Sequence, residues 1–186
     1  MRTLQHFLRA CSLAVVGVAL GTSLAWSAEV WLEARPLNGL EYPAGIPSTV
    51  PMWGYASCDS SWVCGPAAVP GPQLVVPAGE TSLTIHLKNS LPVSGLSVPN
   101  MTSIVIPGQR EDNMVRVMFD PIVSPHGDGV LRARMRSFTH ETTQGQIGDY
   151  VWSNLKPGTY LYHSGTHAQV QVQMGLYGSV KADATA

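Results

Sequence analysis

Residues 158–178 read GTYLYHSGTHAQVQVQMGLYG, and their alternation limits what this chain can fold into. In the first run Thr159, Leu161 and His163 fall on one side and Tyr160 and Tyr162 on the other, the period of a strand. In the second run Val170, Val172, Met174 and Leu176 share a face opposite Gln169, Gln171 and Gln173, which predicts another strand. His163 and His167 then sit at a bend between two strands, with Gly165 supplying the backbone freedom to turn. Fully extended, the two histidine Cα atoms would stand about 13 Å apart at ~3.3 Å per residue. That is too far for one ion, given metal–nitrogen bonds of about 2.0 Å. A bend brings them onto one ion, or onto each member of a closely spaced pair. Imidazole favours copper, zinc, iron or nickel over magnesium or calcium. The same residues also read as loop histidines bonded to backbone or water, because HxxxH spacing is common by chance.

The rest of the chain has the composition of a strand-rich body. Its 18 Gly and 14 Pro separate short apolar runs, as turns between strands do. A length of 186 residues, 45% hydrophobic and 12% charged, suits one compact domain rather than disorder. A net charge of −1 favours neither nucleic acid nor an anionic membrane surface as partner. Residues 1–27 read as a secretory signal peptide. Arg2 and Arg9 precede an apolar run over 13–24, and small residues at 23–25 or 25–27 offer cleavage. The chain is then expected to be periplasmic or secreted, with residues 28–186 as a single domain free of the membrane after cleavage.

Within that domain, residues 29–37 are a plausible first strand. Residues 36–72 are rich in proline and predict an irregular segment wrapping the body, pinned by Trp53, Tyr55 and Trp62. A secretory route permits a disulfide between Cys58 and Cys64; free thiols and metal ligation are the alternatives. Residues 73–89 give two strands split at Ala78-Gly79-Glu80, with Leu83, Ile85 and Leu87 inward and His86 outward. Ile104-Val105-Ile106 is a short buried strand. Residues 108–129 form a long loop holding a possible strand at 115–119 and a surface histidine, His126. Arg132, Arg134 and Arg136 alternate along what reads as the solvated face of an edge strand. His140 is either a hydrogen-bonded histidine or a further metal ligand. Met174 shares the face of Val170, Val172 and Leu176, so core packing suits it better than ligation.

The segment Thr159-Tyr160-Leu161-Tyr162-His163-Ser164, followed by Gly175-Leu176-Tyr177-Gly178, resembles the end of the first cupredoxin (plastocyanin-like) domain of the multicopper oxidases. There a GTYxYHSH segment carries two copper-binding histidines and runs into GLYG. Gly71-Pro72-Gln73-Leu74 with Gly79-Glu80, and residues 83–89, are similar to that domain's early strands. Thr102-Ser103-Ile104 stands where the family reads TSIHWHG. The resemblance covers roughly residues 45–182 and implies an all-β, cupredoxin-like Greek-key sandwich or barrel. It also implies copper as cofactor, with His163 as the matched ligand, His167 as a displaced second ligand and His140 as a partial replacement. The chain departs from the family where two histidines should stand. It reads Val105-Ile106-Pro107-Gly108, and HSH has become HSGTH. No His-Cys-His cluster for a blue copper centre appears. The resemblance therefore implies a domain incomplete for oxygen reduction by itself, completed by further cupredoxin domains or subunits. A free-standing copper carrier and a metal-free interaction domain are the other readings.

Overall fold

The computed structural model describes residues 27–93, 100–113, 117–119 and 135–184. Residues 1–26, within the stretch expected to be a signal peptide, and His126, Arg132 and Arg134 lie outside them. In chain order the strands are β1 (Ser27–Pro36), β2 (Trp53–Cys58), β3 (Cys64–Ala68), β4 (Leu74–Val76), β5 (Ser82–Asn89), β6 (Met118–Phe119), β7 (Met135–Ser137), β8 (Ile147–Trp152), β9 (Gly158–His163) and β10 (Tyr177–Ala182). A helix, α1 (Ala168–Met174), separates the last two. None of the described helices is long and apolar enough to cross a membrane.

Among the described residues the strands form one sheet ordered β3-β2-β1-β5-β8 and a second ordered β4-β10-β9, with β6 and β7 as a small ribbon. β1 runs parallel to β5 and β10 parallel to β4, while the other pairs are antiparallel. The alternation read from the sequence at β5 holds residue by residue: Leu83, Ile85 and Leu87 are fully buried and the residues between them face outward. Leu32 and Ala34 of β1, Tyr150 and Trp152 of β8, Tyr162 of β9 and Val180 of β10 join them in one core between the two main sheets. This is the layered sandwich expected of alternating strands with one apolar face each.

Three expectations are corrected. The proline-rich segment is not irregular throughout, because β2 and β3 form a hairpin inside it. Pro66 is tolerated there because β3 is an edge strand, where one N–H is dispensable. Tyr55 and Trp53 do pack into the core, as a pinned segment requires. Next, residues 168–174 form α1 instead of a strand. The His167 carbonyl accepts the Val170 and Gln171 N–H groups, which starts the helix. Gln171 turns inward at 2% exposure while Val170 is 49% exposed, the reverse of the strand reading; Met174 is half-buried. Finally, Arg136 is not solvated: its guanidinium reaches the Glu141 carboxylate at 2.6 Å.

Candidate metal site

The site is built outward from Tyr162. Its ring lies across β10 directly over Gly178, where an added Cβ would fall 2.4 Å from the ring. Gly71 clears the other side, since a Cβ there would meet the Tyr162 hydroxyl at 2.7 Å. The hydroxyl donates to the Pro72 carbonyl at 2.9 Å. The second glycine of GLYG thus exists to seat the second tyrosine of TYLYHS. With Tyr162 fixed inward, strand alternation sends Leu161 and His163 to the outer face, and Leu161 is 60% exposed.

His163 pairs with Val105 through two backbone hydrogen bonds, N–H to carbonyl at 3.0 and 2.9 Å. Such directly paired residues project side by side, about 5.5 Å apart at Cα. Val105 is therefore the side chain beside His163, at the position where the resembled family carries a ligand. The His163 ring donates from Nδ1 to the Ser164 carbonyl at 2.9 Å. That bond selects the tautomer whose lone pair is on Nε2.

The HSGTH turn does not use Gly165 for its bend. Gly165 is small because a Cβ would press on Val105 Cγ1 at 2.8 Å and Ser103 Oγ at 3.0 Å. His167 takes the left-handed conformation instead, with φ 42° and ψ 47°, and its N–H donates to the Arg136 carbonyl at 2.7 Å. Beneath the turn lies a buried polar set. Ser103, Ser137 and Thr166 hydroxyls form a closed triangle with edges of 3.2, 2.9 and 3.1 Å. The Gln171 side-chain oxygen accepts from Thr102 and Ser164, and its nitrogen donates to the Met101 carbonyl.

His140 stands in a different setting. It stacks on Tyr150 at 4.3 Å, its Nδ1 lies 3.2 Å from the buried Glu111 carboxylate, and its Nε2 lies 3.1 Å from the Asp149 carbonyl. The Glu111 carboxylate beside the ring raises the His140 pKa, against the opposing effect of burial. Among the described residues no group of three close donors includes His140, His163 or His167. His86, also outward, is held at 2.7 Å by Asp149 and stacks on Trp31.

The Glu111 link makes a prediction. Glu111→Gln should lower the His140 pKa toward its ordinary value, read from the pH dependence of its ring proton by NMR. Because the folded value is raised, the stabilisation is full below the unfolded pKa of about 6.5 and fades as pH rises through the folded one. The stability gap between wild type and Glu111→Gln should therefore shrink on going alkaline. A pKa unmoved by the substitution would break the link.

Sequence reasoning did not find Glu111, Gln171 or the Val105–His163 pairing. Glu111 and Gln171 are ordinary polar letters whose partners lie far along the chain. For Val105, the lost HxH motif was the signal, but the pairing came only with the fold.

No protein-family model matches this sequence, and no curated protein does either. Solved structures do. A multi-copper oxidase from Pseudomonas thermotolerans superposes with a TM-score of 0.57 at 21% identity, over 87% of this chain and 31% of that one. Lac15 from a marine microbial metagenome gives 0.51 at 23% identity, over 84% and 32%. The chain has the fold of one cupredoxin domain of the kind found in multicopper oxidases. It spans about a third of the length of those two proteins, at 31% and 32%.

Proposed function

We propose that this chain is a copper-oxidase-type cupredoxin domain that contributes His163 as one ligand to a copper site, with further cupredoxin domains or subunits finishing it. The observation that carries the reading is the His163–Ser164 hydrogen bond, which leaves Nε2 with its lone pair on the outer face of β9. Among the described residues no donor set completes a site at His163: its imidazole stands beside Val105, and Pro107 fills the other family ligand position. Copper, when held, would supply the redox chemistry. This chain's part is to present and orient the ring. The domain by itself is then expected to have no oxidase turnover. The leader over residues 1–27 supports a periplasmic or secreted setting, which mass analysis of the exported N-terminus tests.

Copper titration of the purified chain tests the ligand. Weak copper binding should be abolished by His163→Ala. Val105→His places a second imidazole beside His163 and should tighten binding, by about tenfold or more on the scale on which metal sites respond to added support. Binding that ignores both changes would refute the assignment of His163. One observation favours a second reading: an apolar Val105 beside His163, with Leu161 exposed on the same face, suits a metal-free interaction domain. In that case the wild type takes up no copper and only Val105→His does.

A further inference from the structure

A second set of metal-binding atoms lies on the outer face of the five-stranded sheet. Cys58 of β2 and Cys64 of β3 are cross-strand partners and are joined as a disulfide. Glu33 of β1 reaches the same spot, so that its carboxylate oxygen and the two sulfurs all lie within 4.8 Å of one another. It is the one group of three close His, Cys, Asp or Glu donors among the described residues. We propose that reducing this disulfide opens a site of two thiolates and one carboxylate for a thiophilic cation, Cu(I).

Three features carry the inference. First, the loop that holds the sulfurs together does not depend on their bond. Asp59 N–H donates to the Val63 carbonyl at 3.1 Å, and Trp62 N–H donates to the Asp59 carbonyl at 2.9 Å. The Asp59 carboxylate also accepts the Ser61 and Val63 N–H groups, each at 2.9 Å. With β2 and β3 still paired, the reduced thiols stay adjacent, so little ordering entropy remains to be spent on a metal. Second, the charge is partly compensated. Two thiolates and a carboxylate carry three negative charges, of which Cu(I) cancels one. Lys88 Nζ sits 3.0 Å from one Glu33 oxygen, and Arg35 Nε lies 3.8 Å from the other while its guanidinium also holds the Glu41 carboxylate. Third, paired thiolates select soft cations over the oxygen-seeking ones.

The chemistry balances. A dithiol or phosphine reductant gives two electrons, the sulfur–sulfur bond breaks, and two protons complete the thiols. Cu(I) then displaces both thiol protons to solvent. The metal site and the disulfide are alternative states of the same two sulfurs, so loading follows the thiol redox state of the surroundings.

The test uses the full chain carrying His163→Ala, so that copper held by His163 is not counted. After phosphine reduction without oxygen, Cu(I) is offered in competition with bicinchoninate, and near-UV circular dichroism follows the fold. The reduced protein should keep its fold and withdraw one equivalent; the oxidised protein and the Cys58→Ser/Cys64→Ser variant should withdraw none. Glu33→Gln, which keeps both cysteines, should keep the stoichiometry with an affinity weaker by about tenfold. Uptake by the reduced protein no greater than by the double-serine variant would overturn the site, as would loss of the fold on reduction. An unchanged affinity in Glu33→Gln would remove the carboxylate from it.

Discussion

Gly175→Ala is expected to cost about 4 kcal/mol, the sum of a strained backbone and a forced contact. Gly175 closes α1 with φ 120° and ψ 5°, a conformation side chains rarely adopt. It also lies against β2: an added Cβ would stand 2.2 Å from the Trp53 carbonyl oxygen and 2.5 Å from Val69 Cγ2. The first of these is backbone in a core-packed strand and has nowhere to go. Against a total stability of ~5–15 kcal/mol, such a loss lowers the melting temperature by about 10 °C for a domain of this size. Gly145→Ala separates the two causes. Gly145 also has positive φ, 75°, but nothing lies within 4 Å of its would-be Cβ. It should cost only the backbone part, on the order of 1 kcal/mol. Thermal melts of the two variants decide it. Equal small shifts would mean that the end of α1 does not rest on Trp53.

The GLYG motif shows what was legible in the sequence. As a pattern it pointed to the cupredoxin sandwich, and the structure supplies the physical reason for each glycine: Gly175 for a helix end pressed on β2, Gly178 for the ring of Tyr162. The alternation of β5 was legible because every second side chain is aliphatic and the strand is long enough to show its period. The same rule failed at Val170, Gln171, Val172 and Gln173. A period of two was present, but among the described residues no strand pairs with 168–174, and the Gln171 amide found acceptors and donors from Thr102, Ser164 and Met101. Local pattern cannot weigh partners so distant in sequence. The β2–β3 hairpin was hidden for a related reason. Its one proline, Pro66, falls on an edge strand, where it does not break pairing, yet the prolines around the hairpin dominate the reading of the letters. At the candidate site the histidine motif was visible. Its isolation was not, because that depends on Val105 being the side chain paired with His163 and on Glu111 engaging His140.

Gln171→Leu should cost about 3 kcal/mol, because each buried polar group left unpaired costs roughly 1–3 kcal/mol and partial rearrangement recovers some of the loss. The wild-type amide accepts from Thr102 at 2.9 Å and Ser164 at 2.7 Å and donates to the Met101 carbonyl at 2.7 Å, all in a site that is 2% exposed. Leucine fills the volume but satisfies none of the three. Gln169→Leu, on the exposed side of α1, should change stability by no more than about 0.5 kcal/mol. The pair of variants also discriminates helix from strand, since a strand would put both glutamines on one face and make their losses alike. The consequence reaches His163. Ser164 Oγ, which loses its Gln171 acceptor, also accepts the Thr166 N–H at 3.2 Å and so braces the HSGTH turn. In Gln171→Leu the Thr166 amide should exchange with solvent faster, and the His163 ring, whose tautomer depends on the Ser164 carbonyl, should lose its fixed orientation. Hydrogen exchange and imidazole nitrogen shifts measure the two effects. A turn as protected as in wild type would show that the amide stabilises α1 without holding His163, and the buried hydroxyl triangle would then be the brace that positions that ring.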